Sequence, residues 1–332
     1  MPRAAKKRRL SKSVSSNKTL QHGSRNWIDL PDDITAWILS RLSMFDILEK
    51  AQRVCLTWRR ICKDPLTWRT IRMEFDIHLR QKKTNGNFTS HKRKKNLRRF
   101  HNFNAHKMCE HAIHLSFGNL VDISIQNCGT DELLQHMTDS SRGIRRLSIV
   151  FSAYITMEGL SKVASKIPLL EDLEISYTPE SRIPPFTKSH AEHKYLEVIG
   201  RSCPLLKSLR SNKHRGIFEP EDNGDAFAIA RTMHRLQKLQ LVGNRLNDEG
   251  FRAILEGCPR LESLDLRECG RLHLMNNTGW LPSLEDLGTR CSKQIKTLRL
   301  PHDSIDDYEH LAIDKIVHRQ CNKYLRYIDI NI

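Results

Sequence analysis

Residues 251–266, FRAILEGCPRLESLDL, carry two apolar periods in succession. Phe251, Ile254, Leu255 and Cys258 recur at the three-and-four spacing of one helix face, whereas Leu264 and Leu266 stand two apart, as on one face of a strand. Pro259 falls directly after the last helical position, where a proline stops a helix without costing it a hydrogen bond. The unit therefore reads as helix, tight turn, strand, with Leu261 opening the strand core.

The same offsets recur. From Leu160 they select Leu160, Val163, Ala164, Ile167, Leu170, Leu173 and Ile175; from Ala226 they select Ala226, Ile229, Ala230, Met233, Leu236, Leu239 and Leu241, all apolar. Pro168 and Pro204 repeat the punctuation of Pro259. Weaker copies put strand cores at Leu120, Ile144, Leu170, Leu206, Leu236, Leu261, Ile295 and Leu325, and the shorter spacings suit leucine-rich repeats that carry a helix. Longer spacings carry insertions such as 178–190 and 212–225. Asn127-Cys128, Gly243-Asn244 and Glu268-Cys269 follow strands, where such repeats use Asn or Cys to satisfy the turn backbone. The expected fold for 108–332 is an α/β solenoid, a horseshoe with parallel strands on its concave face.

The net charge of +17 invites a nucleic-acid reading, so its location matters. Residues 1–26 hold eight Lys or Arg and residues 78–107 hold ten, with no acidic residue in either, which leaves the rest of the chain nearly neutral. The first stretch reads as a disordered basic tail. Lys6, Lys7, Arg8 and Arg9 within it form a cluster that a nuclear-import receptor could read, or incidental solvated charge. Residues 72–107 read as a basic connector; the tract HKRKKNLRR (91–99) could contact phosphates but lacks interleaved aromatics for stacking. No apolar run approaches the length of a membrane span and no secretory signal is legible, so a nuclear or cytoplasmic home is expected.

Between tail and connector, 27–71 changes character. Pro31 with Asp32 and Asp33 starts a helix; Ile34, Ile38 and Leu42 follow on one stripe, widened by Trp37 and Leu39; two further short helices precede Pro65. Three small helices in 45 residues are too few to bury their own apolar side chains, and the surplus suits a partner groove. The segment WIDLPDDITAWILSRLSMFDILEKAQRVCLTWRRICKDPLTWRTI resembles an F-box, above all in V-C-x-x-W followed by D-P-L-x-W. With C-P-x-L-x-x-L in the repeats, the whole chain is similar to plant F-box proteins with C-terminal leucine-rich repeats. Thr57 and Ala51-Gln52 depart from the usual pattern without removing an apolar anchor.

The resemblance implies a non-catalytic subunit of an SCF ubiquitin ligase. Its F-box would bind a Skp-type adaptor, and through it cullin and RING subunits, by Leu30, Pro31, Ile34, Ile38, Leu42, Val54, Cys55, Trp58, Leu66 and Trp68. The repeats would select a protein substrate. Alternation along the strands nominates Asp122, Ser124, Gln126, Arg146, Asp172, Glu174, Arg210, Lys238, Gln240, Asp265, Arg267 and Arg299 for the concave face, a surface of mixed sign suited to protein. A scaffold acting outside a ligase, or a nucleic-acid-associated protein using 91–99, are the competing readings. No cofactor is expected. His106, Cys109, His111 and His114 have the residue types for zinc, but no second ligand pair stands at finger spacing, and the repeat register assigns Ile113, His114 and Phe117 to the first helix face. Cys203 and Cys258 fall at buried helix positions, which argues against thiol catalysis.

Overall fold

The structure is a computed structural model, and it describes residues 27, 30–74, 106–126, 129–152, 154–177, 194–213, 220–272, 275–276, 279–280 and 285–310. The basic cluster Lys6–Arg9, the 91–99 tract, Asn127-Cys128, the 178–190 insertion and the strand core expected at Leu325 lie outside the described residues.

Helix α1 (Asp32–Leu39) begins after Pro31 with Asp32 and Asp33 in its first turn, where carboxylates meet the positive end of the helix dipole. Ser43 caps α2 (Met44–Glu49) by accepting from the Asp46 N–H, and the Cys55 thiol caps α3 (Leu56–Cys62) by accepting from the Trp58 N–H at 3.4 Å. After a 3₁₀ turn over Pro65–Arg69 the chain enters strand β1 (Thr70–Glu74).

Strand β1 pairs in parallel with β2 (Asp122–Gln126), setting Ile71 opposite Ile123 and Met73 opposite Ile125, all four buried. Helix α4 (106–115) precedes β2. The chain then alternates through α5 (Asp131–Ser140), β3 (Arg146–Val150), α6 (Met157–Ala164), β4 (Asp172–Ser176), α7 (Lys194–Ser202), β5 (Ser208–Arg210), α8 (Gly224–Thr232), β6 (Lys238–Gln240), α9 (Asp248–Gly257) and β7 (Ser263–Asp265). A two-stranded hairpin of β8 (Met275–Asn276) and β9 (Gly279–Trp280) stands apart, and α10 (Glu285–Gln294) leads to β10 (Thr297–Arg299). The main sheet runs β1-β2-β3-β4-β5-β6-β7-β10, parallel throughout. Helices α5 to α9 each pack on the next. Because packed helices sit about 8–10 Å apart and paired strands only about 4.8 Å, the two layers can stay in register only by curving with the strands inside.

The repeat offsets are obeyed: every position they select from Leu160, Ala226 and Phe251 is buried except Ala230, which is half-buried. Neighbouring repeats are stitched at their helix starts. Asp131 accepts from the Thr156 N–H and hydroxyl, and Asn247 donates its N–H to Asn223. Gly159 and Gly250 allow this closeness, since a Cβ there would lie 2.1 Å from Asp131 Oδ1 and 2.4 Å from Asn223 Oδ1 respectively. After the strands, Asn244 donates to the Ser211 carbonyl at 2.7 Å and the Cys269 thiol to the Leu241 carbonyl at 3.0 Å, the turn-satisfying role read for both.

Two expectations are corrected. Periodicity starts the repeats at 108 and makes 72–107 a connector, yet the sheet takes its first strand from Thr70–Glu74. One apolar core runs unbroken from Leu39 in α1 to Ile295 before β10, so the helical segment is built onto the solenoid. Five residues of strand with two apolar positions were too short to stand out as a period. Along α4 and the turn that ends it the buried face is Cys109, Ala112, Ile113 and Ser116, while His114 and Phe117 are exposed; Ser116 and Phe117, the latter at φ 46°, already belong to the turn.

Candidate functional site

The first candidate surface lies on the N-terminal helices. Of the ten exposed large apolar side chains among the described residues, six fall within 27–74: Trp27, Ile34, Trp37, Val54, Leu56 and Leu66. In α1, Ile34, Trp37 and Ile38 share a stripe opposite the buried Thr35 and Leu39, and Arg41 lies over the Trp37 ring at 4.7 Å. An Arg60–Asp32 ion pair at 2.7 Å ties α3 to the start of α1. Among the residues nominated from sequence, Pro31, Ile34, Val54 and Leu66 are exposed, and Leu30, Ile38, Leu42, Cys55 and Trp58 are half-buried. Trp68 is corrected: it is 1% exposed and donates its indole N–H to the Cys62 carbonyl at 2.8 Å, so it is core. Trp37 and Leu56, the latter 83% exposed, lie on the same helices and were not nominated from sequence. In the sequence Trp37 and Leu39 both flank the Ile34–Ile38–Leu42 stripe, and only the burial of Leu39 in the structure tells them apart.

The second surface is the strand face. Register sets Asp122, Arg146, Asp172, Ser208 and Lys238 in one row and Ser124, Ser148, Glu174, Arg210, Gln240, Asp265 and Arg299 in the next. Gln126 ends β2 in a third row, opposite Val150. Asp122 pairs with Arg146 at 3.0 Å. A cleft of about 360 Å³ opens over β5 to β10, lined by Arg210, Lys238, Gln240, Asp265 and Arg299 among others.

Part of this face is covered by the chain itself. After β10 the backbone turns back across the sheet. Arg267 ion-pairs with Asp307 and donates to the Ser304 carbonyl at 2.8 Å, and Arg299 reaches the other Asp307 oxygen at 2.8 Å. The Tyr308 and Tyr177 hydroxyls meet at 2.9 Å, Arg210 pairs with Glu309 at 2.8 Å, and His310 Nε2 lies 2.5 Å from Glu174. Ile305 and Tyr308 join Val150, Phe151, Tyr177 and Val242 in a small apolar cluster separate from the main core. Glu174 and Arg267, expected to face outward, are therefore 3% and 5% exposed. Burial pushes the Glu174 carboxyl up, but the His310 hydrogen bond, the charges of Arg210 and His310, and the Ser148 hydroxyl outweigh it and hold the group below the usual carboxylate range. The Arg267 bond holds Asp307 down likewise. Glu174, Glu309 and His310 bring donor atoms within 4.8 Å of one another, as a cation site would, but Arg210 already sits on both carboxylates.

The four residues considered for zinc do not converge: Cys109 is buried, His111 and His114 are exposed, and His106 faces Glu110 at 3.3 Å. Burial raises the thiols of Cys203 to about 11 and of Cys109, Cys258 and Cys269 to about 12.

A family model described as F-box-like matches residues 27–74, the three helices together with β1. F-box protein SKIP19 of Arabidopsis thaliana is 38% identical over 86% of this chain and 80% of its own length. The chain belongs to the F-box/leucine-rich-repeat proteins. F-box/LRR-repeat protein 21 of the same plant is 35% identical over 87% of this chain and 86% of its own length. F-box/LRR-repeat protein 23 is 40% identical over 85% of this chain, which spans 55% of that relative's length. Among solved structures, the yeast Rad7–Elc1 complex superposes at a TM-score of 0.33 with 18% identity, over 65% of this chain and 57% of that one. The family match ends at Glu74, so the F-box unit includes the strand that opens the repeat sheet.

Proposed function

We propose that this protein is the substrate-recognition subunit of a Skp-cullin-F-box ubiquitin ligase, with the F-box docking on a Skp-type adaptor and the strand face holding a protein target. The observation that carries the reading is the concentration of exposed apolar side chains on the F-box. A surface bearing Ile34, Trp37, Val54, Leu56 and Leu66 is costly to leave in water and matches what an interface core is made of. Through the adaptor it would join cullin and RING subunits, which supply the transfer chemistry. The high thiol pKa values support a subunit without cysteine catalysis of its own. Work in the nucleus or cytoplasm, where such ligases would meet their targets, completes the proposal. The test is co-purification of the full chain with a Skp-type adaptor and cullin: wild type is retained, and Leu30→Ala/Pro31→Ala is retained poorly. Equal retention of the double variant would remove the docking surface assigned here.

A further inference from the structure

The strap across the strand face displays side chains that fit that face. Ser304–His310 reads SIDDYEH, and its acidic and aromatic side chains meet a set of receptors made by separate repeats. Asp307 is held by Arg267 beyond β7 and Arg299 in β10, Tyr308 by Tyr177 beyond β4, Glu309 by Arg210 in β5, and His310 by Glu174 in β4. From β10 to β4 is four strand spacings, about 19 Å, and the strap, which turns at Ile305–Tyr308, spans them through its long side chains and those of its arginine and tyrosine partners. Three guanidiniums from three repeats converging on one acidic stretch is the arrangement used to capture a peptide. It is more than an end cap needs, since a cap must cover only the last repeat. The receptors also have capacity left: Arg210 Nε is buried with no acceptor, and Lys238 in the adjoining cleft has no ion pair, both among the described residues.

We propose that residues 304–310 are an internal stand-in for the target, and that the target presents an acidic stretch with a tyrosine between its carboxylates, which binds by displacing the strap from Arg210, Arg267, Arg299 and Tyr177. This rests on the reading of the strand face as the target site. Because the strap is tethered, it competes at high effective concentration, and the apparent affinity for a target falls by the fraction of molecules in which the face is open. The covered part of the face is thus closed by default and selects for a partner that outdoes the strap's own carboxylates.

The test uses the full chain and a fluorescent peptide of residues 302–310, HDSIDDYEH, added in trans. Binding to wild type is expected to be weak, at least tenfold tighter to Asp307→Asn/Glu309→Gln, whose strap is loosened, and lost again when Arg210→Gln is added. A peptide with its three aspartates and its glutamate replaced by their amides should bind neither chain. Equal binding of the peptide to wild type and to the loosened variant, or to neither, would overturn the proposal. Since the loosened variant could be destabilised, amide exchange of wild type with excess peptide gives a second reading: exchange in 304–310 should rise while β4 to β7 stay protected. Unchanged exchange there overturns it as well. Adaptor binding is measured on the same samples. Its retention with no peptide effect sinks the strap inference alone, whereas its loss sinks the ligase reading.

Discussion

Ile71, three residues after the buried Trp68 of the F-box, lies opposite Ile123 in the register of the first two strands of the repeat sheet, and both are fully enclosed. A unit expected to hang from a basic connector is instead the first layer of the solenoid. The strand face therefore sits at a distance from the exposed apolar side chains of the F-box fixed by packing, whatever the length of chain between β1 and α4.

One cooperative transition should follow. Trp27, Trp37, Trp58 and Trp68 are in the F-box, with only Trp280 elsewhere, so tryptophan fluorescence reports on the F-box while far-ultraviolet circular dichroism reports mainly on the repeats. In urea the two signals should change at one midpoint, and Ile71→Ala, costing about 2–5 kcal/mol, should lower both together. Separate midpoints would mean that the two parts fold independently.

What was legible in the sequence follows from how the signals are built. Phe251 to Leu266 shows both periods because each repeat buries one helix face and one strand face, so long amphipathic repetition is visible without a structure. Strand β1 escaped because two apolar residues make no period. Trp68 was misassigned because motif membership does not say which side of a short helix faces a partner; its indole N–H needed the Cys62 carbonyl, a contact no spacing rule encodes. Glu174 and Arg267 were correctly placed on the strand face, yet their burial depends on a strap arriving from over a hundred residues away in one case and about forty in the other.

Glycine packing between repeats gives a sharp contrast. A Cβ on Gly257 would lie 2.3 Å from the Ala230 carbonyl oxygen and 2.5 Å from its Cα, so backbone must move; a Cβ on Gly270 meets nothing within 4 Å. Gly257→Ala should destabilise by about 1–3 kcal/mol, whereas Gly270→Ala should leave the urea midpoint nearly unchanged. The pair of midpoints checks the helix-layer packing directly.

Thiol reactivity should map the docking surface. Cys55 is half-exposed at the head of α3, while Cys62, Cys109, Cys203, Cys258, Cys269 and Cys291 are buried and their thiols raised to about 11 or 12. Among these seven, native-state alkylation at neutral pH should modify Cys55 first, read by peptide mass spectrometry. Saturating adaptor should slow that modification; undiminished labelling would place Cys55 outside the interface.

The strap network sets a pH dependence. Glu174 titrates below its ordinary value in the folded chain, so its contribution is present above the unfolded value near 4.5 and is lost as pH falls through the lower folded value. The difference in urea midpoint between wild type and Glu174→Gln should therefore shrink as pH falls below about 4. A difference that grows between about pH 4 and about pH 2 would reverse the assignment.

The most direct test of the docking role is the affinity of a purified Skp-type adaptor for the full chain and for Val54→Asp/Leu56→Asp, measured by calorimetry. Both side chains are exposed, at 62% and 83%, so the double variant should fold with an unchanged urea midpoint. The expected result is a loss of more than about tenfold in affinity, or about 1.4 kcal/mol. Equal affinity in a folded variant would contradict the account.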